Sequence, residues 1–164
     1  MTIINPPTPF AYATYCDEVR TENTGKEIYI GVYGPYMILN GEYPFLLPNF
    51  AVIFHYWESP SDNIIDDLRF TISLPGDDEP TIQKVISRND IQHQQPPSSK
   101  IDELDVDPSS YRFTHMKIVI HVTPAIFKRS GRVRCRVYLG DLEIRAGTLA
   151  IMTATELQNF SSSN

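Results

Sequence analysis

The chain has 164 residues, 41% hydrophobic and 11% aromatic, with a formal net charge of −6, thirteen prolines and two cysteines. That length suffices for one domain with its own core, and two distant cysteines exclude a disulfide framework. The acidic balance removes any global pull towards nucleic acid or anionic membrane, and no apolar run approaches the ~18 residues of a bilayer span.

Residues 1–9 hold three prolines and read as an extended N-terminal arm. No secretory leader pattern is present there, so a cytoplasmic, reducing location is expected, with Cys16 and Cys135 as buried thiols. The first strand is expected from Phe10 to Val19 and the second from Lys26 to Tyr33. Thr21-Glu22-Asn23-Thr24-Gly25 joins them as a β-hairpin whose glycine supplies positive φ. Gly31 marks a bulge or a close backbone approach in the second strand. Tyr36–Leu39 reads as an edge segment, and Tyr43-Pro44-Phe45-Leu46-Leu47-Pro48 as an apolar crossing that caps one end of a core. Phe50 to Trp57 is nearly continuous in large apolar residues and is therefore a central strand. Asp66 to Leu74 follows, then the acidic turn Pro75–Pro80, then a strand from Thr81 to Ser87.

From 88 to 110 the chain is polar, proline-containing and without period two, which predicts a long loop. The pattern returns from Tyr111 to Thr123, with His115, Lys117 and His121 on one face. Arg132 to Leu139 alternates strictly, arginines on one side and Val133, Cys135, Val137 and Leu139 on the other. Gly140-Asp141 turns into Leu142–Arg145, Gly147 and Thr148–Thr153; residues 155–164 read as a flexible tail. Eight or nine short strands at regular spacing predict an all-β fold. The expected architecture is an antiparallel β-sandwich, immunoglobulin-like or C2-like, in one domain over 10–154.

Chemistry-bearing patterns are sparse. His121-Val122-Thr123 is a single H-x-T element where a two-histidine phosphoesterase needs two. His115 and His121 stand about 20 Å apart along one strand, too far to share a metal. Asp62, Asp66, Asp67, Asp77, Asp78 and Glu79 would form an oxygen-donor cluster only if they converge at one end of the sandwich. The sharpest feature is the basic run Lys128, Arg129, Arg132, Arg134 and Arg136, three of which share one strand face at period two. Aligned guanidiniums suit phosphates or carboxylates; the alternative is a solvated face paired across the strand with Asp141 and Glu143. No nucleotide-binding or nucleophile-elbow signature occurs, so neither an enzyme nor a cofactor is expected.

Phe10-Ala11, Cys16-Asp17-Glu18-Val19-Arg20, Gly25-Lys26, Ile30-Gly31-Val32-Tyr33, Tyr43-Pro44 and Leu47-Pro48 form an opening that resembles a family of small bacterial and phage proteins of unknown function. The resemblance covers roughly residues 10–75 and implies a β-sandwich with no activity to carry over. Of the matched residues, only Asp17 and Glu18 have ligand-type chemistry. The expectation is a non-enzymatic binding or assembly protein with a protein partner or self-association. It would engage through loops, a sheet edge or the arginine face. The alternatives are a protein that binds a small anionic or nucleotide ligand at the arginines, and a virion or tail component.

Overall fold

Side chains alternate across a strand, so a strand that is apolar on one side must bury that side against a partner sheet. The computed structural model describes residues 9–59, 65–90 and 114–161, and two sheets meet in it over one core. One has three antiparallel strands in the order β1 (Phe10–Cys16), β6 (Ala51–Glu58), β9 (Thr114–His121). The other has five, in the order β4 (Tyr36–Leu39), β12 (Leu142–Thr153), β11 (Gly131–Leu139), β7 (Leu68–Ser73), β8 (Ile82–Ile86). Every pairing in it is antiparallel except β12 with β4, which is parallel. Two small ladders complete the fold, β2 (Glu18–Thr21) with β3 (Glu27–Ile30) and β5 (Phe45–Leu47) with β10 (Ala125–Phe127).

The fold is the expected all-β sandwich, with twelve strands among the described residues. The excess over eight or nine has two causes. The apolar crossing and Ala125–Phe127 form a ladder of their own. The strand expected over Phe10–Val19 also breaks at Asp17, so that β1 joins the sandwich while β2 and β3 form the hairpin. The expected arm and long loop fall mostly on residues 1–8 and 91–113, outside the described residues.

β6 is central, as its composition requires. Val52, Phe54 and Tyr56 face the core, where Phe54 meets Phe70 of β7 edge-on at 5.3 Å between centroids. Its opposite side is covered in part by the β2–β3 hairpin, which lays Val19 and Tyr29 over Cys16, Ala51 and Ile53. From β11, Val133, Cys135, Val137 and Leu139 point inward. β12 keeps pace only by changing parity. Ile144 packs against the core in its first half and Leu149 and Ile151 in its second, with the register shift opposite Cys135 and Arg136.

The stretch from Thr155, expected to fray, is instead a helix, α1 (Ala154–Ser161). Thr153-x-x-Glu156 forms a reciprocal capping box. The Thr153 N–H donates to the Glu156 carboxylate at 2.7 Å, and the Glu156 N–H donates to Thr153 Oγ1 at 3.2 Å. Tyr43 also donates to that carboxylate, at 3.2 Å, tying the helix to the chain before β5.

At the far end of the sandwich, Glu58 of β6 and Arg88, two residues past β8, are each 8% exposed and join the two sheets. The fork is bidentate, 2.7 Å and 3.1 Å, with the Tyr56 hydroxyl on the same carboxylate at 2.9 Å. Arg88 Nε also donates to the Asp66 carbonyl, and its backbone N–H to the Asp67 carboxylate. Breaking one side of such a pair strands the other charge in the core. Arg88→Met is therefore expected to lower the free energy of unfolding in urea by roughly 3 kcal/mol. The double variant with Glu58→Leu should recover much of that loss.

Candidate functional site

Because β11 buries Val133, Cys135 and Val137, Arg132, Arg134 and Arg136 lie on the outer face of the five-stranded sheet. Pairing adds two residues that the single-strand pattern does not disclose. Arg145 of β12 stands directly opposite Arg136, and Arg69 of β7 opposite Tyr138, with its guanidinium 4.3 Å from the ring centroid. Like charges opposed across strands repel. One carboxylate, Glu143, serves both Arg136 at 3.1 Å and Arg145 at 3.8 Å. Arg132 reaches only the Thr148 hydroxyl, at 3.4 Å, and Arg134 has no ion pair among the described residues. Asp141, expected to share in neutralising the row, makes no ion pair among the described residues. The row is thus only partly neutralised within its own sheet.

The two other members of the basic run sit at one end of this face, in the turn before β11. Lys128 pairs with Asp77 at 2.6 Å, closing that turn onto the one after β7. Gly76 has φ 96, and a Cβ there would lie 2.8 Å from Lys128 Cβ, so only glycine allows the two turns to meet. Arg129, Arg132 and Arg134 border the resulting pocket of about 350 Å³, with Gly76, Asp77 and Ser130.

Of the two acids expected to face a ligand, Asp17 is tied into the fold and Glu18 stays at the surface. Asp17 takes a hydrogen bond from the Tyr33 hydroxyl and sits over Gly31, whose positive φ and close approach leave no room for a Cβ. Glu18 makes a two-contact ion pair with exposed Arg20, at 2.9 Å and 3.1 Å. The loop acids do not converge either. Asp66 and Asp67 precede β7 and Asp77 follows it, a strand length of about 20 Å away; Asp62 lies outside the described residues. Asp77, held by Lys128 and Thr81, has its carboxyl below the usual range. No group of three or more His, Cys, Asp or Glu that could hold a metal occurs among the described residues.

On the opposite side of the molecule, pairing brings together two histidines that are distant in sequence. Trp57 faces His115 and His55 faces Lys117 in the β6–β9 register, which places the histidines diagonally. His55 Nδ1 and His115 Nε2 share a hydrogen bond at 3.1 Å. Tyr12 stacks on His55 and Trp57 on His115, with centroids 4.5 Å and 3.9 Å apart, and Phe10 stacks on Trp57. The rings lean on one another across the part of the sheet that the hairpin leaves open. Glu27 of the hairpin reaches Lys117 at 2.7 Å beside them.

No protein-family model and no curated protein matches the chain. No helix among the described residues is long and apolar enough to cross a membrane.

The histidine pair has a pH signature. Burial and then Lys117 hold His115 below its ordinary value of 6.5; burial, His115 and Lys117 do the same for His55, against an opposing pull from Glu27. The unfolded chain therefore takes up more protons as pH falls through about 6.5, and stability is lost from there downward. Urea unfolding between about pH 7.5 and pH 5 should show this decline, and His115→Gln should flatten it. The carboxylates with lowered values act below about pH 4.5, so the two windows separate.

Proposed function

We propose that this protein is a non-enzymatic binding module whose guanidinium face, the outer side of β7, β11 and β12, docks an acidic protein partner. The observation that carries this reading is the imbalance on that face: Arg69, Arg132, Arg134, Arg136 and Arg145 against Glu143. Guanidiniums are weakly hydrated and form planar forks that match carboxylates, so such a row favours close contact with acidic groups. The chain as a whole carries −6, which opposes long polyanions at range. A compact acidic surface that meets the face within a screening length is favoured over nucleic acid. Exposed Tyr36, Ile38 and Val85 flank the arginines on the edge strands and supply apolar contact at the rim.

The test uses the full chain and a fluorescent glutamate-rich peptide, followed by anisotropy at low salt. Saturable binding is expected, weakening as salt rises. Reversing Arg134→Glu together with Arg145→Glu should cost at least about tenfold in affinity, one factor of ten being about 1.4 kcal/mol. Lys84→Glu, on the edge strand β8, serves as the control. Equal affinity in all three proteins would overturn the reading. Tighter binding of a thymidine oligonucleotide than of the peptide would overturn the choice of partner.

A further inference from the structure

We infer that the pocket at the end of the arginine face is a subsite for a phosphate monoester, held by Arg129, Arg132 and Arg134. This rests on the same face as the proposed function and deepens it by naming the chemistry at one end. Three arginines border one pocket of about 350 Å³, within the size range of small-ligand sites. The acids that could neutralise them are already occupied. Asp77 accepts from Lys128 Nζ at 2.6 Å and from the Thr81 hydroxyl at 2.6 Å. Glu156, nearby across Ser130, accepts from the Thr153 N–H and hydroxyl, from Tyr43 and from Ser130. Neither Arg129 nor Arg134 has an ion pair among the described residues. One carboxylate is matched by one guanidinium fork, whereas three arginines bordering one cavity suit a group with two negative charges and three acceptor oxygens.

The walls are preset. The turn after β7 and the turn before β11 are pressed together at Gly76 and latched by Lys128 and Asp77, so the pocket does not depend on a ligand to form. A second cavity of about 550 Å³ adjoins it, sharing Ser130, Gly131 and Arg132 and lined further by Ala150, Ile151 and Met152. The phosphoryl group sits among the arginines, and whatever is esterified to it has room to extend over β12 towards α1. A phosphorylated small molecule and a phosphorylated residue of the acidic partner offer the same chemistry here.

The experiment is a titration of the isotope-labelled full chain with inorganic phosphate, then O-phosphoserine, then a glutamate-rich peptide carrying one phosphoserine, monitored by NMR. Saturable shifts are expected at Gly76, Asp77, Ser130 and Gly131 and at the side chains of the three arginines. Affinity should rise from about pH 5 to about pH 7.5 as the phosphate gains its second charge near pH 6. Arg132→Gln and Arg134→Gln should each weaken O-phosphoserine by about tenfold or more, with the melting temperature of the free protein unchanged and Lys84→Gln without effect. An affinity for acetate equal to that for phosphate, no saturable shift, or unaltered binding in both arginine variants would each overturn the subsite. Given saturable binding, a peptide at least about tenfold tighter than O-phosphoserine assigns the subsite to a phosphorylated partner; equal affinities assign it to a small molecule. Binding of the unphosphorylated glutamate peptide without phosphate binding would sink the subsite while leaving the docking face intact, and the converse would do the reverse.

Discussion

β11 can bury only one of its faces, and the residues that enter the core decide everything on the other. Val133, Cys135 and Val137 are wholly buried between the sheets, so the arginines between them have nowhere to go but outward. The neighbouring strand must agree with this. β12 achieves it by shifting register opposite Cys135 and Arg136, which keeps Glu143 and Arg145 outside while Leu149 and Ile151 turn in. Continued at period two without that shift, the strand would bury Thr148 and Ala150 and expose its largest apolar residues. Gly147 sits at the shift with the Tyr15 hydroxyl 3.4 Å from where a Cβ would be, so the irregular point is packed from the facing sheet. The charged face is thus a consequence of core geometry.

That face contrasts with the rest of the molecule in how its charges are treated. Elsewhere, four carboxylates have partners of their own: Arg88 for Glu58, Lys128 for Asp77, Lys117 for Glu27 and a helix cap for Glu156. On the arginine face, opposed guanidiniums share one acid. Exposed pairs contribute little to stability, so this arrangement is cheap for the fold and leaves donors directed to solvent. The histidine side is organised differently, by rings stacked upon each other and partly sheltered by the hairpin. Its two histidines are hydrogen-bonded to each other at 3.1 Å.

Much of the fold was legible in the residues, because period two and turn chemistry are local. The central place of β6 followed from its unbroken apolar run, and the outward row Arg132, Arg134, Arg136 from alternation within one strand. What depends on pairing was not legible. Arg69 and Arg145 join the row only through the β7–β11 register and the parity change in β12, and His55 meets His115 only through a diagonal contact 60 residues apart. Asp17 looked available beside a turn. It is consumed because Gly31 lets the chain pass closely enough for Tyr33 to reach it. The helix after β12 has a local signal, Thr153-x-x-Glu156, beside a polar composition that by itself favours a frayed tail. Lys128, a member of the basic run, is also the latch that shapes its end, a role visible only through its pairing with Asp77.

The docking of an acidic partner on the outer face of the five-stranded sheet remains a proposal with a direct structural readout. Hydrogen exchange of backbone amides with and without a saturating acidic peptide addresses it directly. Slowed exchange should centre on β7, β11 and β12 and on the turns at Gly76 and Ser130, with β1 and β9 unchanged. Protection confined to β1, β6 and β9, around Tyr12, His55, Trp57 and His115, would contradict it.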